Sequence, residues 1–135
     1  MAVTRSSNTS GIISNPSVIS KLVTISGIDG TTPATHTLYT VPVGNSMVVV
    51  GVTVRVTAAN TSSVSAQGSF GSNGTDLNNW SGIGTFGPYL INTGIYTTST
   101  GFAIYSAGDI FKLKITTGGT ATTQTLAVDV FGYLF

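Results

Sequence analysis

Residues 46–58, SMVVVGVTVRVTA, fall into two interleaved series. Val48, Val50, Val52, Val54 and Val56 fill the even positions, while Met47, Val49, Gly51, Thr53, Arg55 and Thr57 run from apolar to polar along the odd ones. A period of two predicts a β-strand with the even valines turned to a core. The apolar beginning of the odd face then needs a cover. Met47 and Val49 are expected to lie against a neighbouring subunit.

The same alternation recurs along the chain. In residues 62–70, Val64, Ala66, Gly68 and Phe70 share one side and Ser63, Ser65, Gln67 and Ser69 the other. In residues 109–117, Phe111, Leu113 and Ile115 point inward, with Lys112 and Lys114 outward. In residues 124–134, Leu126, Val128, Val130 and Leu134 form the core side and Asp129 stands opposite. Further runs near 18–26, 36–41, 88–91 and 101–105 bring the count to about eight strands. Turn chemistry separates them, as at Pro42–Asn45 and around Gly118 and Gly119. Strands wetted on one side imply antiparallel sheets with one packed face. The pattern therefore predicts an all-β fold: an antiparallel β-sandwich, a jelly-roll of about eight strands, over residues 18–135.

Two segments break the pattern. Residues 1–17 read as a polar arm tethered by Ile12 and Ile13, and residues 71–89 as one long irregular loop. That loop carries Trp80, Phe86 and Tyr89, whose rings either anchor it to the sandwich or stack on a sugar or partner protein. Its Asn73, Asp76, Asn78 and Asn79 supply one carboxylate, too few for a calcium site, so no metal is expected.

Composition narrows the function. Only 7% of the 135 residues are charged, against roughly 25% in an ordinary soluble domain. A net charge of +1 gives little attraction to nucleic acid or an anionic membrane, and neither partner is expected. Mean hydropathy is +0.37, yet no apolar run approaches the ~20 residues that span a bilayer. The opening residues lack a signal-peptide segment, predicting a protein made without Sec-type export. With so few charges, the surface offers little resistance to association.

Material for catalysis is scarce. There is no Cys or Glu, one histidine, His36, and four acids, Asp29, Asp76, Asp109 and Asp129. A Ser–His–Asp set built on His36 and Asp29 is compatible with the sequence, but His36 reads equally as a polar residue beside the loop GIDGTTPATH. No enzyme activity and no cofactor are expected. Asp109 follows Gly108 at a turn position.

Two stretches are similar to a known group. LYTVPVGNSMVVVGVTV, residues 38–54, resembles the strand–Pro-x-Gly–strand opening of small jelly-roll proteins in tailed-bacteriophage virions. Residues 105–135 resemble their closing hairpin, including an Ala-Gly-Asp strand entry and a Gly-Tyr-Leu ending. These motifs are shared by capsid decoration (cement) proteins and fibre-tip modules. The resemblance implies a homotrimer on the capsid exterior that binds the major capsid protein and clamps neighbouring capsomers, with Ile12 and Ile13 on a capsid-binding arm. The alternative is a receptor- or glycan-binding module of a tail fibre or spike, using Trp80, Phe86 and Tyr89. The absence of heptads or shaft sequence favours the decoration protein. The resemblance transfers no catalytic residue.

The last strand supplies the most specific expectation. Strict alternation places Phe131, Tyr133 and Phe135 together on the face away from the core. They are expected at the subunit interface near a three-fold axis.

Overall fold

The computed structural model describes residues 19–59, 66–72, 80–85, 94–97, 103–120 and 123–135. Within them run nine antiparallel strands. These are β1 (Ser20–Asp29), β2 (Ala34–Thr40), β3 (Met47–Ala59), β4 (Gln67–Gly71), β5 (Ser81–Thr85), β6 (Gly94–Thr97), β7 (Ile104–Tyr105), β8 (Ile110–Thr117) and β9 (Gln124–Leu134). They pair from the outside inward: β1 with β9, β2 with β8, β3 with both β6 and β7, and β4 with β5. An antiparallel ribbon nested in this way and rolled over itself is a jelly roll. The larger sheet has the order β1-β9-β3-β6, with β7 on β3 as well, and the smaller has the order β2-β8-β4-β5. No helix occurs among the described residues.

Strand β5 corrects the expectation of one irregular stretch over residues 71–89. Its sequence, SGIGT, has two glycines and a single large apolar residue, so no alternation betrays it. It is a strand because β4 offers it an edge, with Gln67 opposite Thr85 and Gly68 opposite Gly84. The run expected near residues 88–91 lies outside the described residues.

The core lies between the sheets, and its centre is aromatic. Phe70 of β4 stacks on Phe111 of β8 at 6.1 Å, and Trp80 meets both rings edge-on at 6.0 and 5.7 Å. Tyr105 approaches Phe111 from the other side at 5.6 Å. Around them the inward residues of β8 and β9, namely Leu113, Ile115, Leu126, Val128 and Val130, are fully buried as the alternation requires. Lys112 and Lys114 take the opposite side of β8.

One irregularity sets the phase of β3. Val49 stands opposite Gly132 and Gly51 opposite Phe131, so Val50 is an extra residue in β3 with no counterpart on β9. A bulge of this kind reverses which alternate positions face inward. Before it the odd residues Met47 and Val49 enter the core, and after it the even residues Val52, Val54 and Val56 do. Met47 and Val49 are both 0% exposed within this single chain. This corrects the expectation that they face a neighbouring subunit: their cover is the sandwich itself.

The bulge also dictates a glycine. A Cβ on Gly132 would lie 2.1 Å from the carbonyl oxygen of Val48 and 3.2 Å from Val49 Cα. The obstruction is backbone, which no rotamer change relieves. Gly132→Ala should therefore destabilise the protein by about 2 kcal/mol or more. Urea unfolding, followed through the emission of the single tryptophan, Trp80, checks this.

Candidate functional site

The outer face of the larger sheet has two contrasting zones. Its centre is polar and is organised by Asp129, which is only 6% exposed although it points away from the core. Neighbouring strands bring donors to it in register: β1 aligns Thr24 with Asp129, and β3 aligns Thr53. The Thr24 hydroxyl donates to one carboxylate oxygen at 2.6 Å and the Thr53 hydroxyl to the other at 2.8 Å. Arg55 closes the set as a fork, with Nε donating at 2.9 Å and Nη2 at 3.3 Å. The Lys21 ammonium stands 3.9 Å away and is half exposed, so it adds little.

These contacts determine the state of the carboxyl group. Burial acts to raise its pKa, but the bonds from Arg55, Thr24 and Thr53 and the Arg55 charge outweigh that and hold it at about 2. The result is a charged staple across β1, β9 and β3. It is a structural device: its acceptor capacity is taken by the chain's own donors.

Toward the end where β3 begins and β9 finishes, the same face turns apolar. Val48 is opposite Tyr133 on one side and Ile104 of β7 on the other, so these three side chains form a row across the sheet. Tyr133 is half-buried and leans on Phe135, with ring centroids 6.0 Å apart. Phe135 continues the ladder, since it exchanges backbone hydrogen bonds with Ser46 at 2.8 and 3.0 Å. Phe131 stands opposite Gly51, one step toward the polar centre. Ile104 is 66% exposed, Phe135 49% and Ile19, which precedes the Ser20–Gly132 pair, 59%. Three of the four large exposed apolar side chains among the described residues thus gather here.

A pair of turns supports this end. Asn45 N–H donates to the Pro42 carbonyl at 3.2 Å, closing the β2–β3 turn, which holds out Val43, 95% exposed and the fourth such residue. In the β7–β8 turn Gly108 has a φ of 88°, a conformation that glycine adopts without strain. The Asp109 carboxylate accepts from Ser106 N–H at 2.8 Å, giving the Ala-Gly-Asp segment its shape. Val41 N–H donates to the Asp109 carbonyl and Gly108 N–H to the Val41 carbonyl, which ties the two turns together. Tyr105 lies beneath, and burial, with a smaller effect of Asp109, pushes its pKa up to about 12.

The other predicted positions separate from this face. Trp80 is buried in the core and its Nε1 donates to the Val49 carbonyl at 3.0 Å. Its ring anchors the chain and is not offered to a ligand, which corrects that alternative for Trp80. Phe86 and Tyr89 lie outside the described residues, as do Ile12 and Ile13 and the Asn/Asp cluster of residues 73–79. His36 is half-buried on β2 opposite Leu113. Asp29 instead serves its own turn, accepting from the Thr31 amide at 2.8 Å and hydroxyl at 2.6 Å, bonds that lower its pKa. Among the described residues no group of three or more His, Cys, Asp or Glu side chains is placed to hold a metal. The staple itself was the feature that sequence reasoning missed. Its signal was the polar end of the β3 odd face, Thr53 and Arg55, which has the same parity as the lone outward acid on β9.

The fold has a counterpart among solved structures. A chain of the cyanophage Pam1 capsid asymmetric unit superposes with a TM-score of 0.55 at 16% identity, and the match covers 98% of this chain and 99% of that one. No family model and no curated protein matches the sequence. At this identity the likeness establishes a shared fold along the whole chain.

The staple gives the protein an acid limb. An unfolded Asp takes up its proton near 3.8, whereas folded Asp129 holds off until about 2. Its stabilisation is therefore complete above pH ~4 and disappears as the pH falls toward 2, a loss of about 2 kcal/mol. Unfolding measured across that window should show the decline, and Asp129→Asn should be less stable at pH 7 and flatter below pH 4.

Proposed function

We propose that this protein is a structural part of a tailed-bacteriophage virion, a decoration (cement) protein on the exterior of the shell. In this reading it acts without catalysis, by burying surface. It assembles as a homotrimer and bridges copies of the major capsid protein, and its arm, through Ile12 and Ile13, reaches the shell.

The observation that carries the proposal is the whole-length fold likeness to a chain of a cyanophage capsid asymmetric unit. Two features of the chain agree with it. Charge makes up only 7% of the residues, and the described acid on the outer face, Asp129, is neutralised within the chain. The apolar end of the larger sheet, with Phe131, Tyr133, Phe135 and Ile104, has the make-up of an interface centre, where aromatic side chains dominate and unpaired charge is depleted. A fully buried aromatic side chain contributes ~150–250 Å², a sizeable share of the ~800 Å² that a stable contact removes from each partner. The burial of Trp80 takes a central ring from the glycan-binding alternative.

Quantitative mass spectrometry of purified virions tests the role. A decoration protein is expected in numbers comparable with the shell subunit, and a count of only a few per particle would sink the proposal. For the contact face, Phe131→Ser with Tyr133→Ser should dissociate the trimer in light scattering while the far-ultraviolet circular dichroism stays β-rich. A double variant that remains trimeric, or that unfolds, would assign these rings elsewhere.

A further inference from the structure

We propose that in the free protein the chain's own N-terminal segment, residues 11–18, lies across the apolar end of the larger sheet and covers it. This rests on the reading of that face as the contact surface, and adds the occupant that it exchanges for a partner.

The argument begins with where the segment joins the fold. Eighteen residues precede Ile19, and Ser20 is already paired with Gly132, next to Tyr133 on β9. The chain therefore enters the fold at the edge of the apolar row. From β1 across β9 and β3 to β7 is three inter-strand steps, about 14 Å at the usual sheet spacing. Ile12 stands seven residues before Ile19, a reach of about 23 Å when extended. The segment is thus long enough to carry Ile12 and Ile13 over Tyr133 and Val48 to Ile104.

Its composition fits that course. GIISNPSV places two adjacent isoleucines at the far end and a proline near the fold, and proline favours an extended path. It contains no charged residue, so nothing in it resists contact with Ile104, exposed at 66%, or Phe135, at 49%. Tethering keeps the effective concentration in the millimolar range, which favours the chain's own segment over that of another copy. A partner that buries the face more extensively displaces it, freeing the arm for the shell.

The native chain has no cysteine, which makes the proposal directly testable by cross-linking. Ile104→Cys, a change at an exposed position, is combined in turn with Ile12→Cys and Ile13→Cys in the full-length protein and oxidised. A disulfide within each chain is the expected result, seen as a mobility shift on a non-reducing gel without dimers. Mixing the Ile104→Cys chain with the Ile12→Cys chain should give no cross-link. Failure of both pairs to close, or bridges only between chains, overturns the proposal, the latter because another copy's arm then occupies the row. As a second measure, removal of residues 1–18 should raise binding of an apolar dye severalfold, and unchanged binding also overturns it. All these readouts use the free protein, so they fail or succeed independently of virion copy number. If the disulfide forms but leaves assembly unaltered, the arm assignment stands and the contact face proposed above is wrong.

Discussion

One extra residue in β3, Val50, pressed against the bare backbone of Gly132, decides what each face of the larger sheet carries. Because the side-chain period in a strand is two, an insertion of one inverts the pattern. Met47 and Val49 go inward to complete the core, Val48 turns outward under Tyr133, and the Val49 carbonyl is placed to receive the indole N–H of Trp80. Core packing, the anchoring of the chain before β5 and the apolar row on the outside all follow from one local offset.

The face so produced is divided by chemistry. Near its centre a carboxylate is shielded by two hydroxyls and a guanidinium from flanking strands, so a charge that belongs to the surface by direction is nearly buried by its neighbours. Such an arrangement is favourable only when most of its hydrogen-bonding capacity is met, and Asp129 meets it from three different strands, its own included. The apolar end beside it has no such constraint and leaves rings and isoleucines in water. A sheet that hides its charge and exposes its hydrophobic side chains is arranged for contact.

Much of this architecture was legible in residue order. The inward residues of β8 and β9 follow simple alternation, and the aromatic parity of Phe131, Tyr133 and Phe135 survives because β9 itself carries no insertion over that stretch. What was not legible came from pairings between distant segments. The reversal at Val50 depends on Gly132, the strand character of Ser81–Thr85 depends on the edge of β4, and the burial of Asp129 depends on Thr24 and Arg55. The indole of Trp80 reads as a loop ornament until the aromatic trio with Phe70 and Phe111 is assembled around it. No local pattern records these dependencies, since each joins residues that have no reason to be compared before the chain folds.

The nested pairing also bears on how the protein forms. Thr24 and Asp129 are 105 residues apart, yet their strands are adjacent at the middle of the larger sheet. During synthesis β1 emerges first and waits for the last segment of the chain before its partner exists. Pairings of such long range close slowly, because loop entropy opposes them until many contacts can form together. In that interval β1 is an unpaired edge beside newly made valine-rich segments, a state open to association with other chains. Two irregularities interrupt its pairing edge, at Leu22 and at Ser26–Gly27. Kinks of this kind make a strand a poor template for a stranger while leaving it able to fit the one partner, β9, shaped to accept them.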